Sequence, residues 1–172
     1  MAVNDIIIYD QGVFGYPGDV EYAVTAQSTL TPYINVGEPV LKALGATVVT
    51  AFTASSSTQP VVGTDYMAGV AASSSSETAS VNGTVKVTKL GVHSSYLANV
   101  DSSTLWNTQA LYDANVGKRV LLKASAASAG VVTYTILATD SATYGCVILP
   151  LDIVKYPGKA RFSFRGGLNY LA

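Results

Sequence analysis

The sequence predicts an all-β protein, built as a small β-barrel or sandwich with an extended N-terminal arm, a C-terminal β elaboration and at most one or two short helices. Short runs of Val, Ile, Thr, Tyr and Phe recur between clusters of Gly, Pro, Asn and Ser. Only one stretch has a helical pattern, and 172 residues fit one domain. We therefore assign residues 1–30 to an arm or edge segment and 31–172 to the β domain, with a second β lobe as an option from about residue 118 onward.

Two segments show the alternation of a half-buried strand most clearly. In "VTYTI", residues 132–136, every second side chain is large and apolar, and "RFSFR", residues 161–165, repeats the pattern with two phenylalanines. The segment "YAVTAQ", residues 22–27, fits either a strand or a helical turn. Further strands are predicted on composition at Ile6–Tyr9, Pro39–Leu41, Thr47–Thr53, Lys86–Leu90, Arg119–Lys123 and Cys146–Leu151.

Turn-forming residues separate these strands. The tripeptide "YPG" occurs at residues 16–18 and 156–158, and Pro followed by Gly suits the two central positions of a type II turn. The Asn82-Gly83 pair stands between β-forming residues, which predicts a tight hairpin at this point. The serine run Ser73–Ser76 is then a surface turn between two strands.

The helical pattern lies in "SSTLWNTQALYDANVG", residues 102–117. Ser102 or Ser103 is the expected N-cap, and Asn115 to Gly117 form the expected stop. A short helix here would cover one end or edge of the sheet. The alternative is an extended loop that carries Trp106 to a partner.

The composition favours a subunit of an assembly over an enzyme. Charged residues make up 12% of the chain, about half of the roughly 25% that is typical of soluble domains. A surface built from Ser, Thr, Asn, Gly and Ala can be buried against a partner with few charges to desolvate. A further interpretation of the aromatic bias, with 11 Tyr in the chain, is carbohydrate recognition.

Charge is distributed unevenly along the chain. Residues 1–41 contain five acidic side chains and no Lys or Arg, whereas residues 80–172 contain nine basic and four acidic ones. The two parts either lie side by side in one subunit or dock between neighbouring copies, where charge complementarity would fix their orientation. The basic residues are too dispersed to indicate nucleic acid, and no apolar stretch approaches the length of a membrane span.

No pattern of a catalytic, cofactor or metal site is present in the sequence. His93 is the single histidine and has no GxSxG serine beside it, and Cys146, the single cysteine, lies in an apolar context typical of a small core residue. One His and one Cys give no zinc spacing. We therefore expect no enzymatic activity, no catalytic residues, no cofactor and no metal.

Two central segments resemble the tailed-bacteriophage capsid decoration (cement) proteins, a family with a small β-barrel like the lambda head-decoration protein. They are "VGEPV" at residues 36–40 and "YMAGVAASSSSETASVNGTVKV" at residues 66–87, and the resemblance covers near a third of the chain. It implies a virion protein, made in the host cytoplasm, that binds the outer surface of an assembled capsid and stabilises it. The implied partners are the major capsid protein and copies of the chain itself as a homotrimer, with no nucleic acid and no membrane.

The expected interface lies mainly in the N-terminal part of the chain, where the apolar segment "DIIIYDQGVF" can add as a strand to a neighbour's edge. Two other functions stay open: a carbohydrate- or host-surface-binding β module of a fibre, and a tail or head-tail structural subunit. The expected interface residues are Ile6, Ile7, Ile8, Tyr9, Phe14, Tyr16 and Trp106.

Overall fold

The computed structural model describes residues 7–10, 18–27, 33–43, 45–52, 58–63, 65–89, 94–101, 106–125 and 132–165. It confirms the all-β class, because these residues form two β-sheets and one short helix. Neither sheet is a closed barrel, so the sandwich alternative describes the fold. Eight strands form sheet A: β1 Ile7–Asp10, β5 Thr58–Gln59, β8 Ser95–Val100, β9 Arg119–Val120, β10 Leu122–Ala124, β11 Tyr134–Ile136, β12 Cys146–Leu149 and β13 Lys159–Phe164.

One segment contributes two strands to sheet A, near both ends of its strand order. Its strands follow the order β5-β10-β11-β8-β13-β12-β9, with β1 added on β8, and only β8 and β11 pair in parallel. The predicted strand Arg119–Lys123 is interrupted at Leu121, where β9 ends and β10 begins. β9 pairs with β12 at one end of the path, while β10 pairs with β11 and with β5, the strand at the other end. The interruption therefore turns the sheet back on itself.

Sheet B has five strands in the order β2-β7-β6-β3-β4, and every pair is antiparallel. A single parallel bridge between Ala23 and Val48 links its two edges. The predicted strand Thr47–Thr53 is reduced to two residues, and the ambiguous segment at 22–27 begins as a strand. The strands of sheet B are β2 Asp19–Val24, β3 Pro39–Leu41, β4 Thr50–Ala51, β6 Met67–Ala71 and β7 Gly83–Thr88.

Strand β6 joins the two sheets, since all five of its residues are buried. Met67 and Val70 belong to the core cluster of sheet A, whereas Ala68 and Ala71 belong to that of sheet B. Residues three apart on a regular strand point to opposite faces, but the pairing with β3 shifts register between Gly69 and Met67, and this bulge lets Met67 and Val70 reach the same core. A strand between two cores must be apolar on both faces. This explains why "MAGVA" lacks the alternation seen in other strands.

The N-terminal residues contribute to both sheets. Strand β1 pairs with β8 of the same chain, with Ile7 opposite Leu97 and Ile8 opposite Tyr96. In the single chain β1 thus lies on an edge of its own sheet, and strand addition to a neighbour stays a prediction. Strand β2 pairs with β7 along its whole length, which places Glu21 opposite Lys86. At this pair the acidic and basic parts of the chain lie side by side in one subunit.

The turn predictions had different outcomes. The second "YPG" is confirmed as a type II turn, because Gly158 has a φ of +70° and the Lys159 N–H donates to the Tyr156 carbonyl at 3.3 Å. The prediction of a tight hairpin at Asn82-Gly83 is wrong. Strand β6 ends at Ala71 and β7 begins at Gly83, so residues 72–82 form a long connection. A tight hairpin would need a strand that ends directly before Asn82. Hydrogen bonds from side chains, and not strand pairing, hold the residues before Asn82 in place.

The helix is shorter than the sequence pattern indicated. Helix α1 spans Gln109–Asp113, and its N-cap is Thr108, whose side chain accepts from the Leu111 N–H. The predicted N-caps Ser102 and Ser103 are wrong, because the helix begins directly after Thr108. Both serines lie outside the described residues. The Tyr112 hydroxyl donates to the Leu149 carbonyl and accepts from the Arg161 N–H, both at 2.9 Å, and so fixes α1 to β12 and β13.

Replacing Tyr112 with phenylalanine is expected to lower the free energy of unfolding by about 1–3 kcal/mol, because two partly buried hydrogen bonds are lost. Burial raises the pKa of the Tyr112 hydroxyl to about 12. An unfolded chain ionises the same group near pH 10. The stabilisation is therefore fully present below about pH 10 and is lost as the pH rises towards 12.

Urea unfolding at several pH values measures both effects. The stability difference between wild type and Tyr112→Phe should be constant near neutral pH and narrow above about pH 10. A difference that stays unchanged to pH 12 would contradict this account of the hydroxyl.

Candidate functional site

Three loops meet at one end of sheet B and form the surface that we call the platform, residues 25–27, 33–38 and 72–82. They follow β2, precede β3, and connect β6 to β7. The platform contains no Lys or Arg, and its only charged residues are Glu38 and Glu77. These two are 5% and 3% exposed, so the platform presents no charged side chain to solvent.

The two carboxylates hold the platform together from inside. Glu77 Oε1 accepts from the Tyr33 N–H, and Glu38 Oε2 accepts from the Asn35 N–H at 3.0 Å. Hydrogen bonds to a carboxylate are about twice as strong as neutral ones. Burial raises the pKa of the Tyr33 hydroxyl, and the nearby Glu38 and Glu77 charges add to the rise. The two charged side chains of the platform thus stabilise its loops from within.

Ser75 joins two of the loops. It is the buried member of the serine run, and its Oγ accepts from the Ile34 N–H at 2.9 Å while its own N–H donates to the Ile34 carbonyl at 2.9 Å. The third loop is tied in by the Ala26 N–H, which donates to Asn82 Oδ1 at 2.9 Å. The predicted surface turn Ser73–Ser76 is therefore part of a hydrogen-bonded loop with one serine turned inward.

A tight turn presents the outermost residues of the platform. The Thr78 N–H donates to the Val81 carbonyl at 2.9 Å, and the Val81 N–H donates to Thr78 Oγ1 at 3.1 Å. Val81 is 60% exposed at the end of this turn. The loop also passes directly over Gly83, where a Cβ atom would stand 2.1 Å from the Glu77 nitrogen. Glycine is thus required at position 83 by close approach.

The platform combines exposed apolar side chains with small polar ones. Five large apolar side chains are exposed in the described part of the chain, and two of them, Val36 and Val81, lie on the platform. Small polar side chains surround these two, so a partner can cover the surface without desolvating any charge. Because the loops are already ordered by their internal hydrogen bonds, binding costs little conformational entropy.

Of the expected interface residues, only Trp106 has a described side chain, and the interface role of the others stays a prediction. Ile7, Ile8 and Tyr9 lie in β1, and Ile6, Phe14 and Tyr16 lie outside the described residues. Trp106, expected to reach a partner, is only 2% exposed and packs edge-on against the Tyr112 ring with centroids 5.5 Å apart. The exposure expected of Trp106 is wrong, because its indole fills the core beside α1.

Sequence reasoning did not identify the platform as the site. Its signal was present: Glu77 is the single charge in the eleven-residue connection between β6 and β7. A lone carboxylate among small polar residues can turn inward to bind free backbone N–H groups. Whether it does so depends on which loop packs beside it.

Other sequence expectations concern chemistry. Cys146 is confirmed as a buried core residue, and burial raises the pKa of its thiol. His93 lies outside the described residues. In the part of the chain that the structure describes, no group of three or more His, Cys, Asp or Glu side chains is placed to bind a metal ion. None of the described helices is long and apolar enough to cross a membrane.

Comparisons with family models, with curated proteins and with solved structures gave no match to this chain.

Proposed function

We propose that this chain is a structural virion protein that binds the outer surface of an assembled phage capsid and stabilises it. The observation that carries the proposal is the platform, an ordered surface without exposed charge. Such a surface fits a permanent protein contact better than a site of chemistry, since the core of a stable interface is depleted in charged residues.

The position of the resembling segments also supports this function. The segments at residues 36–40 and 66–87 carry the similarity to capsid decoration proteins, and they contain most of the platform. They lie together in space, because β3 pairs with β6 and β6 pairs with β7. The similarity therefore falls on one continuous part of sheet B.

Stabilisation of the shell would follow from mass action. A protein that binds the assembled shell and not its separated subunits shifts the equilibrium towards the shell by RT ln(1 + [L]/Kd) at each site. At a free concentration of 100 times Kd, this amounts to about 2.7 kcal/mol per site. The many equivalent sites of a capsid multiply the effect.

Co-sedimentation with shells of the phage that carries this chain tests the proposal. We expect saturable binding at a fixed number of copies per capsid subunit and a higher temperature of shell disassembly. A glycan array with the same preparation provides the comparison. Saturable glycan binding without shell binding would replace the proposal with a carbohydrate-binding module, and rings or tubes formed without a shell would indicate a tail subunit.

A further inference from the structure

The outward face of sheet A is basic. Successive residues of a strand point alternately to the core and away from it. Of the eight strands of sheet A, only β1 contains an acidic residue, Asp10, whereas four basic residues occur in the others. Each of these four is at least partly exposed and stands next to a buried residue of its own strand, so all point away from the core: Arg119, Lys123, Lys159 and Arg161.

Two of these basic residues end a row of polar side chains that crosses four neighbouring strands. Lys123 of β10 pairs with Thr135 of β11, Thr135 pairs with Asn99 of β8, and Asn99 pairs with Lys159 of β13. We call these four residues the lysine row. Paired residues lie on the same face of a sheet, and neighbouring strands are about 4.8 Å apart, so the two lysines stand about 14 Å apart along the sheet.

The lysine row is accessible from outside the molecule. Lys123 is exposed between two buried residues of β10, and the other three members of the row are partly exposed. Lys159 Nζ donates to Asn99 Oδ1 at 2.7 Å, which orders the lysine over β8 without neutralising its charge. Neither lysine forms a salt bridge with a described carboxylate. Both positive charges can therefore bind an anionic group of a partner.

We propose that the lysine row binds a carboxylate-rich polypeptide segment of a partner protein. In an extended segment, carboxylates at positions i and i+4 lie on one side and about 13 Å apart, which matches the separation of the two lysines. The residue at i+2 then faces Thr135 and Asn99, whose side chains can donate and accept hydrogen bonds. Charge complementarity of this kind fixes the register and the choice of partner.

The chemistry of this face favours an acidic polypeptide over a nucleic acid. Proteins that bind single strands stack the bases on aromatic side chains, and the lysine row contains none. Proteins that bind duplexes often make about six to ten phosphate contacts, whereas the strands of sheet A supply four basic residues. The contact is also separate from shell binding, because the platform belongs to sheet B and exposes no charge.

Fluorescence anisotropy of labelled poly-L-glutamate, titrated with the full chain at pH 7, tests the proposal. Wild type should bind, and its affinity should fall as salt is added, because the paired charges are exposed to solvent. Lys123→Gln combined with Lys159→Gln should raise the dissociation constant about tenfold through the loss of two ion pairs. Lys123→Gln alone, at the fully exposed position, should raise it about threefold.

Lys86→Gln combined with Lys89→Gln is the matched control. It removes the same two charges, but from β7 of sheet B and the residue that follows it. We expect this variant to bind poly-L-glutamate like wild type, and thermal unfolding shows whether each variant is folded. Oligothymidylate of equal net charge is the second probe. A wild type that does not bind poly-L-glutamate, an equal loss in the control variant, or tighter binding of oligothymidylate would overturn the proposal.

Discussion

Gly69→Ala is expected to be the most destabilising single substitution considered, with a loss of at least about 3 kcal/mol in the free energy of unfolding. A Cβ atom at Gly69 would stand 2.0 Å from the Thr88 carbonyl oxygen and 2.6 Å from Val87 Cγ1. Its φ of +151° is also one that side chains with a Cβ rarely adopt. Because β6 lies between the two cores, a shift of its backbone disturbs both.

Gly45→Ala separates the two causes. Gly45 has a φ of +77° with nothing within 4 Å of an added Cβ, so its substitution carries only the backbone strain, about 1–2 kcal/mol. Urea unfolding followed by circular dichroism and by Trp106 fluorescence measures both variants. Equal losses for Gly69→Ala and Gly45→Ala would show that the close approach of β6 to β7 is not what requires glycine.

Val81→Asp is expected to weaken shell binding on the order of 100-fold while the protein stays folded. Val81 is exposed at the end of the platform turn, so the monomer tolerates a charge there. A partner that covers the platform must desolvate that charge, and an unpaired buried charge at an interface costs about 2–5 kcal/mol. The loss of affinity follows from this cost alone, because the variant removes little contact area.

Thr143→Asp provides a control of equal size and charge at an exposed position between β11 and β12 of sheet A. Co-sedimentation with shells across a range of concentrations gives the two affinities, and thermal unfolding confirms that both variants fold. Wild-type affinity in Val81→Asp, or an equal loss in Thr143→Asp, would exclude the platform as the binding surface.

The strands that the sequence predicted best are half-buried. In "RFSFR", Phe162 and Phe164 face the core while Ser163 between them is only partly covered, so the pattern has one interpretation. Strand β8 was not predicted, although it is central in sheet A. Its first four residues are buried on both faces, and "SYLA" therefore shows no alternation. Periodicity identifies a strand only when one face meets solvent.

The structure of the platform could not be predicted, because it depends on long-range packing that no local sequence pattern encodes. Asn82-Gly83 has the composition of a tight hairpin, yet Gly83 is needed because the Glu77 backbone passes over it. Asn82 accepts a hydrogen bond from Ala26, which is distant in the chain. The composition of the stretch indicated an uncharged surface, and that part of the prediction needed no structure. The inward direction of Glu77 follows from its hydrogen bond to the loop at residues 33–38, which is distant in the chain, whereas Glu38 bonds within that loop.

A cryo-electron microscopy map of shells saturated with the protein tests the central claim most directly. We predict that each bound copy contacts the shell through the platform, with the turn at residues 78–81 at the centre of the buried surface. A map in which the platform faces solvent while another surface meets the shell would contradict the account, as would shells that carry no density for the protein.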